Sequence, residues 1–396
     1  MKKRLHIILQ TELLRTGLLN ISLASMSDSV FPISPARAWV EINTLSLKHN
    51  LEIARKQSGC ELMAVVKAGA YGHGLEMISR ILESCDVAFL GVANIGEARR
   101  IRNAGIQTPI YLLGATWEQE REEIVARGIT PCISTMEEAV SFHHIAKRRG
   151  VRLVVHLAVD TGMGRGGFLP ADLTEKLSDL LKLDGLSIEG IASHLSSSDE
   201  DETFTLQQIA SFQDTIEKLG GLEKFKWRHL SNSGGILGYA NHCCNLVRPG
   251  LMIYGISPIT SFQEKLHTVM SLKSRVTLVR TVPAGHSISY GRTYVTTKPT
   301  RVATVGIGYG DGYPRQVSGK DAEVWIRGNR YPIIGRVTMD QIIIRLPDEC
   351  DVQCGDEVEL FGVNISVNEV AILADTIVWE IFTGITPRVE RLYIEA

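Results

Sequence analysis

The chain has 396 residues, 44% of them hydrophobic, with 42 Lys+Arg set against 44 Asp+Glu. That length supplies core for two or three domains, and the near-balanced charge leaves no footprint for nucleic acid or an anionic membrane surface. Seven cysteines, odd in number and with no CxxC pairs at zinc spacing, point to free thiols in a reducing compartment and to no metal site.

Met1-Lys2-Lys3-Arg4 followed by Leu5 to Leu23 has the outline of a signal peptide, but Glu12 and Arg15 interrupt it. The stretch is too polar to span a bilayer. Met26 is an alternative start, residues 1 to about 34 are expected to be poorly ordered, and the expected location is cytoplasmic. From Arg37 the sequence becomes regular. Ala38–Ile42 reads as an alternating strand, and Asn43 or Thr44 caps a helix running to about Gln57.

A repeating rhythm follows. Strand patterns fall at Leu62–Lys67, Ala88–Ala93, Ile110–Leu113, Thr130–Ser134, Arg152–Val159, Ser187–His194, Trp227–Ser231 and Leu246–Val247. Helical patterns lie between most of them, among them Gly74–Glu83, Ile95–Ala104, Glu118–Ala126, Met136–Arg149, Ala171–Lys182 and Phe204–Leu219. Near-continuous apolar strands separated by amphipathic helices mean a buried parallel sheet. Eight such units fit a (β/α)8 barrel, with an open doubly wound sheet as the alternative. No GxGxxG follows the first strand, which argues against a dinucleotide fold.

After about Met270 the rhythm changes to short strand patterns. They lie at Leu272–Thr281, His286–Tyr290, Arg301–Gly306, Ala322–Ile326, Gln341–Leu346 and Glu357–Phe361, separated by Gly, Pro and Asn. This reads as a separate mostly-β domain, with a helix over Val367–Thr383 and a last strand at Glu390–Ile394. The expected division is an N-terminal extension (1–34), an α/β barrel (35–268) and a C-terminal mostly-β domain (269–396).

Barrel chemistry gathers at the C-terminal strand ends, so polar residues just past each strand are the candidates. Ala64-Val65-Val66-Lys67-Ala68-Gly69-Ala70-Tyr71-Gly72-His73-Gly74 delivers a lysine at the end of a buried strand. Desolvation there lowers an amine's pKa and frees it for Schiff-base chemistry. Asp160-Thr161-Gly162-Met163-Gly164-Arg165 follows the fifth strand, His194 ends the sixth, Asn232 and Ser233 follow the seventh, and Arg248-Pro249-Gly250 follows the eighth. Tyr71, Ser233 and the N–H groups of Gly250 and Leu251 suit a phosphate. His194 can lie against an aromatic ring and Arg248 can donate to a ring nitrogen. With Lys67 as the aldehyde's partner, the ring is that of pyridoxal phosphate.

Taken with Ser289-Tyr290-Gly291-Arg292-Thr293, Gly308-Tyr309-Gly310-Asp311-Gly312-Tyr313-Pro314-Arg315 and Gly335-Arg336-Val337-Thr338-Met339-Asp340, these motifs make the chain from about residue 36 to 396 resemble the bacterial alanine racemases. The resemblance implies a pyridoxal-phosphate enzyme that interconverts L- and D-alanine for peptidoglycan. It also implies a homodimer in which Lys67 and Tyr290, the latter from the partner subunit, are the two bases. Arg165 and the Met339 N–H would bind the substrate carboxylate. Tyr71, Ser233, Gly250 and Leu251 would hold phosphate, with Asn232, His194 and Arg248 around the cofactor. Tyr309 would narrow the entrance, and Asp199, Arg315 and Arg336 would line the outer path. A hydrogen-bonded chain is expected from Arg248 through His194 to Tyr290, and Asp340 is expected to position the Met339 loop. Arg248 stays protonated and cannot give the ring a full proton, so the cofactor is expected to be a restrained electron sink with little transamination.

The sequence departs from the family pattern at three places. Gly69 stands where Asp or Asn is usual, which implies a more flexible loop. Ala158 stands where many members carry a lysine whose carbamate steadies the substrate arginine. Pro387 stands where some members have a phosphate-binding tyrosine. The alternatives are a broad-specificity amino-acid racemase, a barrel-type decarboxylase and a cofactor-binding carrier. The Ser289-Tyr290-Gly291 motif argues against the decarboxylase and the second domain against the carrier. His73, His143, His144 and His242 carry no such pattern and read as structural or surface residues.

Overall fold

Eight short parallel strands form the first architecture, and the computed structural model describes them within residues 36–240 and 243–396. The expectations for residues 1–34 and for His242 lie outside the described residues. The strands are Glu61–Val65, Phe89–Val92, Ile110–Leu112, Cys132–Ile133, Leu153–Ala158, Leu186–Ala192, Trp227–His229 and Leu246–Val247. They pair as two parallel arcs of four. A Tyr111–Thr130 bridge joins the arcs on one side. On the other, Asn245 N donates to Arg228 O (3.1 Å) and Arg248 N to Ser231 O (2.9 Å). The last strand pairs back onto the first through Leu62 and Val247, so the eight-stranded ring is closed and no edge is left to cover.

The helices of the barrel begin where short polar side chains satisfy free backbone donors. Asn43, Asn94, Thr135 and Asp201 each accept from a backbone N–H in the first turn of the helix that follows. Inside the ring, Met63, Phe89, Tyr111, Cys132, Ala158 and Leu246 pack as one buried layer.

The second architecture is an antiparallel-rich sheet built around the long strand Met270–Val282. Its first half pairs with Glu357–Phe361 and its second half with Thr300–Val305. A register shift between Val276 and Leu278 lets one strand serve both neighbours. Ala38–Asn43 belongs to this sheet too, antiparallel to Met270–Val282 and parallel to Glu390–Ile394. The chain thus starts in the sheet, builds the barrel and returns, and residues 36–396 cluster as one compact unit.

Three local readings change. The helix expected over Val367–Thr383 is two, Val367–Leu373 and Val378–Gly384. Asp375, in the left-handed region at φ 53°, separates them. The strand expected over His286–Tyr290 stops after Ser287–Ile288, because Ser289 (φ 61°) and Gly291 (φ 72°) turn Tyr290 into a single helical turn. A hairpin strand, Asn329–Pro332, pairs with Glu323–Ile326 where the sequence pattern shows none. No helix among the described residues is long and apolar enough to cross a membrane, and all seven cysteines are free.

Candidate active site at the barrel mouth

Directly after the first barrel strand the backbone does something rare. Ala68, Gly69, Ala70 and Tyr71 all have φ between 53° and 66°, a turn of left-handed helix. Each L-residue there opposes its own Cβ sterics, so tertiary contacts must hold the turn. Glu97, 9% exposed, supplies one of them and is itself anchored by a second bond. It accepts from Ala68 N (2.6 Å) through Oε1 and from Ala93 N (2.8 Å) through Oε2. Gly72 supplies another, because its Cα lies so near Phe382 that an added Cβ would fall 2.2 Å from the Phe382 carbonyl oxygen. The turn explains why Gly69 can occupy an Asp or Asn position, since all three tolerate left-handed backbone.

The turn presents Lys67 and Tyr71 to a cavity of about 570 Å³. Ten candidates from the sequence line it: Lys67, Tyr71, Arg165, His194, Asp199, Asn232, Ser233, Arg248, Gly250 and Leu251. Burial, then the neighbouring Arg165 charge, lower the Lys67 amine below its usual range, with Glu97 opposing. Burial pushes the Tyr71 hydroxyl up to about 12, so it stays a neutral donor.

One wall is a cradle for a compact anion. A Cβ on Gly250 would lie 2.7 Å from the Tyr71 hydroxyl, and one on Gly234 would lie 2.4 Å from Ser198 Oγ. Ser233 Oγ accepts from Gly250 N (3.1 Å) and Met252 N (3.2 Å). Asn232 Oδ1 caps Gly235 N (3.0 Å), while its amide donates to Leu195 O. Backbone donors, two hydroxyls and glycine-only spacing suit a phosphate group.

Another part of the lining is organised by Arg248, 5% exposed. It donates through Nη1 to His229 Nδ1 (2.7 Å) and through Nη2 to His194 Nδ1 (3.0 Å) and Ser193 O (2.5 Å). A guanidinium only donates, so both imidazoles present an unprotonated Nδ1. Burial, then the Arg248 charge, lower His194 to about 3. The first link of the expected chain from Arg248 to Tyr290 is therefore present.

Tyr290, Tyr309 and Met339 do not line this cavity within their own chain. They are 69%, 40% and 51% exposed. They form a second cluster in the β portion, with the motifs locked together. Ser289 Oγ donates to Arg336 O (2.6 Å), Tyr309 N to Thr338 O (3.0 Å) and Gly310 N to Met339 O (2.9 Å). Buried Asp311 pairs with Arg37 (2.8 Å) and Arg388 (3.3 Å), and Arg388 reaches Asp340 (2.6 Å). Asp340 and Asp311 together pin the loop that carries Met339. Arg315 and Arg336 also lie outside the cavity lining.

The site includes residues that the strand-end rule does not select: Glu97, His229, Trp379 and Pro258, the last two lining the cavity. The spacing Asn94-x-x-Glu97 is a capping-box pattern that flags Glu97, and His229 is passed over because the strand pattern runs on to Ser231 whereas the strand itself ends at His229.

Family comparisons agree with this geometry. The family described as alanine racemase, N-terminal domain, matches residues 42–258, and alanine racemase, C-terminal domain, matches residues 269–393. The chain belongs to the alanine racemase family. An alanine racemase of Methylacidiphilum infernorum is 36% identical over 369 residues, covering 92% of this chain and 94% of the relative. The solved alanine racemase of Clostridium difficile 630 superposes with a TM-score of 0.87 at 34% identity, over 92% of this chain and 97% of that one. That of Bartonella henselae, with covalently bound pyridoxal phosphate, gives 0.84 at 28% identity, over 91% and 100%.

Alanine racemases are pyridoxal-phosphate isomerases, and the donor set here fits that cofactor: an amine whose charge burial disfavours, a phosphate cradle and a buried guanidinium. At the family's departures, Arg165 has no ion pair or hydrogen bond among the described residues, consistent with Ala158 in place of a lysine.

Proposed function

We propose that this chain interconverts L- and D-alanine with two bases, Lys67 of one subunit and Tyr290 of the partner subunit, in a homodimer that supplies D-alanine for peptidoglycan in the cytoplasm. The observation that carries the reading is a division of labour. The amine sits in the cavity with its charge disfavoured, while Tyr290 sits in a tight turn, 69% exposed and outside its own chain's cavity. Such a tyrosine is available to a neighbouring site. We further read residues 35–268 as the cofactor domain and 269–396 as the domain that lends Tyr290, with residues 1–34 an extension.

Racemisation removes the α-proton from one face and returns one to the other, so two bases on opposite faces are the simplest solution. Bound pyridoxal phosphate would draw off the electron pair left when that proton leaves. Lys67 Nζ would exchange the proton on one face and the Tyr290 hydroxyl on the other. Arg165 and the Met339 N–H would hold the carboxylate. Arg248 would donate to the ring nitrogen without surrendering a proton, since arginine remains charged. Tyr71, Ser233, Gly250 and Leu251 would grip the phosphate, with Asn232 capping the loop behind them. Tyr309, Asp199, Arg315 and Arg336 would shape the way in.

A broader amino-acid racemase is the second reading, favoured by the unpartnered Arg165 and by Pro387. Purified protein incubated with L-alanine, L-serine and L-lysine, with each enantiomer followed, separates the two. Alanine racemised fastest and lost in Lys67→Ala and Tyr290→Phe supports the first reading; comparable rates on serine or lysine favour the second. Retention of full two-way activity by Tyr290→Phe sinks the two-base assignment.

A further inference from the structure

Behind Arg248 the polar chain runs on into the barrel. His229 Nε2 lies 2.8 Å from His156 Nδ1, both rings are fully buried, and their planes cross at 61°. His156 Nε2 has no hydrogen-bond partner among the described residues, and its ring lies among those of Tyr111 (5.1 Å) and Phe89 (5.7 Å). Space for this ring is reserved by Gly190, where an added Cβ would fall 2.4 Å from the imidazole. Burying an imidazole with one nitrogen unsatisfied costs stability that an apolar side chain would not. The burial needs a compensating role.

The hydrogen-bond logic supplies one. Arg248 can only donate, so His229 Nδ1 must accept. The His229 proton then sits on Nε2 and needs an acceptor, which His156 Nδ1 provides. The His156 proton is forced onto Nε2, the atom left without a partner. The orphan atom is thus the terminus of a one-directional relay: Arg248 to His229 to His156.

We propose that His156 is a positioning residue: it locks His229 in the Nε2–H tautomer, which in turn fixes the Arg248 guanidinium against the cofactor ring. The inference rests on the proposed function for what Arg248 meets, but the relay itself belongs to the chain alone. Without an acceptor at position 156, the His229 Nε2–H is buried without a partner, and the ring escapes that cost by turning away from Arg248 or by moving its proton to Nδ1. The second would set two donors face to face at the 2.7 Å Arg248 contact, and either would displace the guanidinium. Both imidazoles stay neutral, since burial and then the Arg248 charge disfavour protonation of each; Lys226 adds to this at His156.

Two variants separate this from a packing role. His156→Asn keeps an acceptor oxygen near the Nδ1 position, whereas His156→Leu removes it and also removes the unsatisfied N–H. The relay predicts that function and stability do not move together. His156→Leu trades the orphan N–H of His156 for that of His229 Nε2 and should melt close to the parent, yet lower kcat about tenfold with a smaller change in KM and shift the bound-cofactor absorbance. His156→Asn should melt lower and keep most of the activity. In cofactor-free protein labelled with ¹⁵N-histidine, NMR should show His229 as a single Nε2–H tautomer in the parent and in the Asn variant, and altered in the Leu variant. Activity that tracks melting temperature across the two variants overturns the proposal. So does an Nδ1–H tautomer of His229 in the parent, a result that needs no variant to fold. A parent that holds the Nε2–H tautomer but fails to racemise alanine supports the relay and contradicts the proposed function instead.

Discussion

Gly69 and Gly72 make a paired test of the left-handed turn that carries Tyr71. Gly69 has φ +66° and an added Cβ meets nothing within 4 Å among the described residues. Gly69→Ala therefore costs only the backbone penalty, about 1–2 kcal/mol for an L-residue in this region, offset by up to about 1 kcal/mol from the stiffer unfolded chain. The net loss is at most about 2 kcal/mol, roughly 4 °C or less in thermal midpoint for a chain of this size. Gly69→Asn should be nearly neutral, because asparagine tolerates left-handed backbone. Gly72 has φ +80°, and its added Cβ falls 2.2 Å from Phe382 O and 3.0 Å from Phe382 C. Those are backbone atoms of Val378–Gly384 and cannot step aside singly. Gly72→Ala should carry the same penalty plus about 1–3 kcal/mol of overpacking. Thermal unfolding of the three variants, at one protein concentration and cofactor level, checks the order: Gly69→Asn most stable, Gly69→Ala next, Gly72→Ala least. Equal losses for alanine at the two glycines, or Gly69→Asn no better than Gly69→Ala, would refute the reasoning.

Gly250→Ala should drive the Tyr71 hydroxyl from the cradle, since the new Cβ would lie 2.7 Å from it; equilibrium dialysis should find cofactor binding weakened about tenfold or more. Acid should destabilise the fold through its buried histidines. His73 is lowered to about 4, and His156 and His194 to about 3, in each case chiefly by burial. Below about pH 6.5 the unfolded chain binds protons that the folded chain refuses, so stability falls from there down to pH 3–4, on the order of 2 kcal/mol per histidine by pH 5. Urea midpoints measured from pH 7.5 to 5 should decline, and replacing His156 with leucine should flatten that decline.

Much of this architecture is legible in the sequence because burial on both faces writes itself as unbroken apolar runs. Each of the eight barrel strands lies within a few residues of such a run, and Lys67 is conspicuous for ending one of them. Arg248, His194, Asn232 and Ser233 follow from the same rule. The rule fails inside a strand: nothing in Leu153–Ala158 distinguishes His156 from a histidine satisfied by chance, because its meaning depends on His229 73 residues away. Nor does local pattern reveal that Ala38–Asn43 completes a sheet whose other strands begin at Met270. That pairing is decided by tertiary contact. The left-handed turn is hidden for a related reason. Ala68 and Ala70 are strong right-handed helix formers, and contacts from distant residues, among them Glu97 and the close approach to Phe382, hold them otherwise.

Subunit complementation tests the central claim most directly. Lys67→Ala and Tyr290→Phe chains, each inactive alone, are mixed, dissociated and reassociated in equal amounts. If each site joins Lys67 of one chain to Tyr290 of the partner subunit, every hybrid holds one intact site and one doubly damaged one. Racemisation should then return to about a quarter of the parent level, since half the dimers are hybrids with half their sites restored. No recovery, with hybrid dimers verified by mass, would contradict the account.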